Sequence, residues 1–79
     1  MGVREEFRVK GSELMETLKK LIEEGNVNHI VVKDDSGQKY LDIPVTVGVV
    51  GVVLAPFLAT IATITALAIH LTVEIERKS

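Results

Sequence analysis

The sequence predicts an α+β domain of the ferredoxin-like class, a two-layer sandwich with the element order β-α-β-β-α-β. Several short segments alternate polar and apolar residues, which is the period of a strand with one buried face. Between Leu14 and Ile22 the apolar residues instead follow helical spacing, and a long uncharged stretch precedes the last alternating segment. We therefore expect two helices, the second long and apolar, on one face of a four-stranded antiparallel sheet.

The first half of the chain contains a strand and an amphipathic helix. Residues 6–10 alternate around Phe7 and Val9, and Gly11 then interrupts the pattern. Ser12 is the predicted N-cap of the helix, since its hydroxyl can accept a hydrogen bond from a free backbone N–H. Gly25 is the predicted end of the helix, because glycine adopts the left-handed conformation without a steric penalty.

A hairpin and a final strand complete the predicted sheet. The β-rich segment 29–33 is followed by the turn residues 34–37 and by a second alternating segment, 39–43. Pro44 ends that strand or confines it to an edge. Near the C-terminus, residues 71–76 place apolar and polar side chains on opposite faces.

The unusual part of the chain is the segment 46–69, which we call the uncharged segment. No Asp, Glu, Lys or Arg occurs between Asp42 and Glu74. The segment predicts a helix that begins after Thr46 as N-cap and is kinked or split at Pro56. In an alternative interpretation, residues 45–54 form a strand and only the remainder is helical.

A helix that is apolar on all sides must be buried on all sides or lie in lipid. One sheet and one other helix cover only part of its circumference, so the sequence predicts self-association through this helix. Small residues spaced by four would let two backbones approach closely. The predicted oligomer interface consists of Gly48, Gly51, Val52, Ala55, Ala59, Thr63 and Ala66.

Two alternatives give the uncharged segment another environment. It is long enough to span a bilayer, or to enter one leaflet as a hairpin bent at Pro56. Against a span stand Pro56, two glycines, the absence of a flanking basic cluster, and the two adjoining strands, which need one another to form a sheet. A small apolar-ligand carrier, with a pocket between the helices, is the remaining alternative.

Composition narrows the functional class. The chain of 79 residues is expected to form one domain over residues 1–79, with no cysteine and a formal net charge of −2. The absence of a basic patch argues against nucleic-acid binding. No nucleophile, carboxylate pair or metal set has the spacing of a catalytic site, so we expect no enzyme, cofactor or metal. The expected partner is a second copy, and the expected location is the cytoplasm or, alternatively, a membrane.

Individual polar residues have simpler explanations than a ligand site. Asp34 and Asp35 lack the alternating acidic pattern of a calcium loop and predict a turn. Gly48–Gly51 lacks the basic neighbours of a nucleic-acid-binding loop and predicts close helix packing. His70 is either a boundary residue or a pH-sensitive interface residue. The threonines 60, 63 and 65 are expected to hydrogen-bond back to helix carbonyls, the alternative being a polar seam.

Four motifs give the chain a resemblance to a known family. In chain order they are residues 5–9 (Glu-Glu-Phe-Arg-Val), residues 23–27 (Glu-Glu-Gly-Asn-Val), residues 43–51 (Ile-Pro-Val-Thr-Val-Gly-Val-Val-Gly) and Ala55-Pro56. Together they resemble the prokaryotic family called domain of unknown function 4342. The resemblance implies a small α/β domain and no assigned activity. It also implies that Pro44, Gly48, Gly51 and Pro56 are shared features.

Overall fold

The computed structural model describes residues 2–67 and 69–77. The strands are β1 (Val3–Lys10), β2 (Val27–Lys33), β3 (Lys39–Pro44) and β4 (His70–Arg77). The helices are α1 (Leu14–Glu23), α2 (Val50–Leu54) and α3 (Leu58–Leu67), and short 3-10 turns precede α1 (Gly11–Glu13) and α3 (Ala55–Phe57). Helices α2 and α3, with the turn between them, occupy the position of the predicted second helix.

The four strands form one antiparallel sheet in the order β1-β4-β2-β3. The α+β, ferredoxin-like sandwich is thus confirmed in its element order, its layers and its antiparallel sheet. The central strands are β4 and β2, whereas in ferredoxins they are the first and third. Each strand–helix–strand unit still encloses one antiparallel strand, β4 between β1 and β2, and β2 between β3 and β4.

The register separates the two faces of the sheet. On the inner face, Val73 lies between Phe7 and Val32, and Ile30 lies between Ile75 and Ile43. Side chains from these rows and from the helices form a single apolar core, and no polar side chain among the described residues is buried. The core residues contributed by the helices are Leu14, Leu18, Leu21 and Ile22 from α1, Val53 and Leu54 from α2, and Ile61 and Ile64 from α3.

The start of α1 differs from the prediction. Gly11–Glu13 form a 3-10 turn before the helix, so Ser12 lies inside that turn and is not the N-cap. The Glu13 side chain accepts a hydrogen bond from the Lys10 N–H at 3.3 Å. At the other end the prediction is confirmed. Gly25 has φ +75° and donates its N–H to the Ile22 carbonyl at 3.1 Å.

The uncharged segment becomes helical later than predicted. Thr46 lies in the loop after β3, and the first helical residue is Val50, with Val49 as a cap that makes no side-chain hydrogen bond. Pro56 interrupts the helix, as predicted, since it lies in the 3-10 turn Ala55–Phe57. The alternative of a strand over residues 45–54 is wrong, because 50–54 are helical and 45–49 are not in a strand.

Gly11 is the residue at which the turn before α1 contacts the end of α3. Its N–H donates to the Ile69 carbonyl at 2.7 Å. A Cβ at this position would lie 2.9 Å from the Ile64 carbonyl oxygen, closer than real Cβ contacts. The turn that begins α1 therefore packs directly on the backbone at the end of α3, and only glycine fits without a shift.

Candidate interaction surface

Helices α2 and α3 are buried on one side only. Val53, Leu54, Ile61 and Ile64 point into the core and are at most 6% exposed. On α3, Ala59 and Ala66 lie on the opposite side of the helix from Ile61 and Ile64, and both are exposed. The sheet and α1 thus cover the inner side and leave the outer side of both helices uncovered.

Six of the seven residues of the predicted interface lie in α2, in α3 or in the turn between them, and Gly48 lies in the loop before α2. Gly48, Gly51, Val52, Ala55, Ala59, Thr63 and Ala66 are each exposed. Five larger apolar side chains, including Val52, are exposed with them: Val47 (45%), Val49 (56%), Val52 (62%), Leu58 (48%) and Leu67 (52%). We call these residues, together with Ala62, the apolar face. Four of these residues are absent from the predicted interface, although their place in the uncharged segment was a signal: Val47, Val49, Leu58 and Leu67.

The threonine on the apolar face adds little polarity. The Thr63 hydroxyl donates to the Ala59 carbonyl at 3.0 Å, as predicted, and Thr65 donates to the Ile61 carbonyl at 2.9 Å. Because these hydroxyls are already bonded to the helix backbone, Thr63 presents mainly its methyl group. Thr60 is exposed and is not among these bonds.

The glycines of the apolar face are not explained by packing inside the chain. A Cβ built on Gly48 or Gly51 has no heavy atom within 4 Å. The close helix packing that the sequence predicts for these glycines is therefore not supplied by the folded chain itself.

An open cleft of about 300 Å³ borders the apolar face between α3 and β3. Tyr40 forms one wall, and Ala59, Thr63, Ile64 and Leu67 are on the other. Tyr40 reaches this position because it is the extra residue of a β-bulge, where Val32 pairs with Leu41 and Lys33 with Lys39. Strict alternation along β3 conceals this bulge, so the cleft could not be predicted from the sequence.

The outer face of the sheet is charged, and several of its charges form ion pairs. At its centre the Glu74 carboxylate lies 2.6 Å from the Lys33 ammonium and 3.4 Å from the Arg4 guanidinium. Its side chain is only 14% exposed. The Lys33 hydrogen bond holds the pKa of Glu74 below its usual value and raises the pKa of Lys33. This charged face is therefore suited to contact with water, and the Glu74 carboxylate has its cationic partners on the same face.

Asp34 organises the hairpin turn. Its Oδ1 accepts hydrogen bonds from the Ser36 N–H, the Ser36 hydroxyl and the Gln38 N–H at 2.6–2.9 Å. Its Oδ2 accepts a bond from the Tyr40 hydroxyl at 3.2 Å. The Ser36 bonds are the main reason why the pKa of Asp34 is lowered. The carboxylate predicted to form a turn thus does so, and its lone pairs are used within the turn.

The two histidines lie apart from each other. His29 is on β2, where it bonds to Asp42 on β3. His70 is exposed at the start of β4 and borders an open cleft with Asp34 and Tyr40. Over residues 2–67 and 69–77, no three His, Cys, Asp or Glu side chains are grouped as metal ligands.

The described chain is therefore an α+β sandwich with one charged sheet face and one uncharged helical face. A family model with the description Domain of unknown function (DUF4342) matches residues 2–77, and the chain belongs to this family. No curated protein and no solved structure matches the chain. By length and composition, Val50–Leu67 could cross a membrane, with a mean hydropathy of 2.2 and 22% of its residues buried.

Proposed function

We propose that this chain is a non-enzymatic interaction domain that assembles with copies of itself through the apolar face. The observation that carries the proposal is that all seven residues predicted as an interface are exposed, in α2, in α3 or in the segments directly before and between them. As part of the same proposal, the assembly is cytoplasmic and needs no cofactor, metal or small-molecule substrate.

The size of the apolar face supports this proposal. Its five large apolar residues are 45–62% exposed, whereas ordinary monomers rarely expose contiguous apolar patches larger than a few hundred Å². The surrounding Gly, Ala and Thr residues add further uncharged surface, and a standard interface buries roughly 800 Å² on each partner. An apolar face exposed to water lowers the solubility of the chain. When two copies associate, each one covers the apolar face of the other.

The distribution of charge favours a second copy over a charged partner. The uncharged segment contains no Asp, Glu, Lys or Arg with which to recognise one. Among the described residues, the ion pairs join side chains of the sheet, of the β2–β3 turn and, at Glu24, of the end of α1, and none includes a residue of the apolar face. Two apolar faces can therefore meet without burying an unpaired charge.

The test is the solution mass of the chain and of the variant Ala59→Glu. Light scattering on a sizing column without detergent should give the wild type a mass that is a small multiple of 8.6 kDa. Ala59→Glu should be monomeric, with association weakened about 100-fold or more, because it would bury an unpaired carboxylate. Gln38→Glu is the matched control, since it adds the same charge on the exposed hairpin turn. A monomeric wild type, or an Ala59→Glu variant of unchanged mass, contradicts the proposal.

Membrane association is a second candidate, and the hydropathy and low burial of Val50–Leu67 favour it. The fold argues against a span. The segment joins β3 to β4, and both of these strands pair with β2 in the same sheet. Crossing a bilayer would separate these strands. The measurement is flotation with neutral phosphatidylcholine vesicles, where recovery of wild type but not Ala59→Glu in the lipid fraction would favour this candidate.

A further inference from the structure

We infer that two copies pair about a two-fold axis, with their α3 helices antiparallel and the axis passing between Ala62 and Thr63. This inference rests on the proposed self-association and specifies its geometry. It concerns which residues of the two copies meet, and its test separates that geometry from self-association itself.

The described part of the molecule has one apolar face. Of the large apolar side chains that are exposed, all belong to this face except Val3, on β1. The opposite side of the molecule is the charged sheet face. A head-to-tail chain of copies needs two different complementary patches, whereas a two-fold pair needs only one self-complementary patch. A closed dimer therefore buries the apolar face with no second patch.

The order of residues along α3 favours an antiparallel pair. The helix reads Leu-Ala-Thr-Ile-Ala-Thr-Ile-Thr-Ala-Leu, which is the same in both directions except at the central Ala62-Thr63. Antiparallel pairing about that centre sets Ala59 opposite Ala66 and places Leu58 at the level of Leu67, at the two edges of the contact. Small residues then occur at matched levels on both helices, so the two backbones can approach evenly along the whole contact.

The helix dipole of α3 favours the same antiparallel orientation. Helix α3 has no acidic residue in its first turn and no basic residue in its last turn. Its partial charges are therefore not offset by its own side chains. A parallel partner would set like helix ends side by side, whereas an antiparallel partner sets each N-terminus beside a C-terminus. The dipoles thus favour the same orientation that the sequence of α3 matches.

Cysteine cross-linking tests this geometry, because the natural chain contains no cysteine. Ala62→Cys should form a disulfide-linked dimer under mild oxidation, since two copies of position 62 flank the axis. Ala59→Cys alone should not, because its two copies lie about 10 Å apart along the helices, beyond the reach of a disulfide. A mixture of Ala59→Cys with histidine-tagged Ala66→Cys should give about tenfold more cross-linked dimer than either variant gives alone. This dimer should contain one copy of each variant. Ser36→Cys, on the hairpin turn, is the negative control.

The outcomes separate the two proposals. Cross-linking of Ala59→Cys with itself, together with failure of the Ala59→Cys and Ala66→Cys mixture, would show a parallel pair and overturn this inference while self-association stands. A dimer by light scattering in which Ala62→Cys does not cross-link overturns the inference in the same way. A mass of three or more copies overturns the closed dimer. A monomeric wild type overturns both proposals.

Discussion

Gly11 shows how one residue can fix the distance between two helical segments. Its N–H bonds the Ile69 carbonyl, and its missing side chain lets the Ile64 carbonyl approach the turn before α1. From the sequence, Gly11 is only a break between a strand and a helix. Its packing role depends on a contact with residues more than fifty positions away, which no local pattern reports.

Replacing Gly11 by alanine should therefore destabilise the fold. The new methyl group would lie 2.9 Å from a backbone oxygen, and overpacking of this kind costs about 1–3 kcal/mol. Urea unfolding followed by circular dichroism measures the change. Gly48→Ala is the control, because a Cβ there meets no atom within 4 Å. Equal stability of Gly11→Ala and wild type would count against the close contact.

Two other residues have structural roles that the local sequence does not predict. Ser12 has the chemistry of an N-cap, but the 3-10 turn Gly11–Glu13 moves the helix start and leaves Ser12 inside the turn. Tyr40 fits the alternation of β3, but it is the extra residue of the bulge and lines the cleft beside α3. Neither feature follows from the local pattern, because side-chain chemistry identifies an element more reliably than its terminal residue or its register.

At the scale of elements, the sequence predicts where strands and helices occur. Alternation identified the strands, and helical spacing identified α1, because each of these elements has one buried face. The uncharged segment has no such contrast, since apolar residues occur on both its inner and outer sides. Its start at Val50, four residues after Thr46, therefore could not be read from periodicity.

Gly51 provides a test at this scale. It lies in α2 with open space around its Cα, so alanine at this position should favour the helix in the isolated chain. We expect Gly51→Ala to raise the free energy of unfolding of the monomer by about 0.5–1 kcal/mol. The same methyl group should weaken self-association, because it lies on the proposed interface. Chemical unfolding at dilute concentration measures the first effect, and sedimentation equilibrium measures the second.

Opposite changes in these two quantities are the signature of a surface kept open for a partner. Gly48→Ala is a useful comparison, since it lies on the same face but outside the helix. A Gly51→Ala variant that is less stable as a monomer would show that the glycine is needed within the chain. The case for an interface at this position would then be lost.

At the scale of the whole molecule, the uncharged side chains of α2 and α3 contrast with the charged side chains on the outer face of the sheet and on α1. The seven predicted interface residues were selected from the long uncharged run and from its small residues spaced by four, because both patterns are visible without any structure. The strand order was not visible. Alternation shows which side chains share a face of a strand, but it does not show which strands are neighbours.

The charged face makes stability depend on pH. Lys33 lowers the pKa of Glu74, and Ser36 and His29 lower those of Asp34 and Asp42. A carboxyl group whose pKa is lower in the folded state stabilises the fold fully above its unfolded pKa of about 4, and this contribution is lost as the pH falls below that value. The free energy of unfolding should therefore change little between pH 7 and 5 and decrease below about pH 4.

Glu74→Gln should reduce this acid dependence, because it removes the carboxylate that pairs with Lys33 and Arg4. Urea unfolding at pH 7 and pH 3 measures the difference for the variant and for wild type. The matched control is Glu16→Gln, at an exposed position on α1. If both variants keep the wild-type difference between the two pH values, the Glu74 pair does not contribute to the dependence.

The place of β4 in the sheet has a consequence for synthesis of the chain. Strand β4 follows every other described strand along the chain, yet it lies between β1 and β2 and is the strand with which β1 pairs. While the ribosome is still making β4, β1 has no neighbour and the uncharged segment has already been polymerised without a finished sheet to cover it. Folding of this domain must therefore wait until β4 clears the exit tunnel, and the nascent chain is most prone to aggregate, or to need a chaperone, just before that moment.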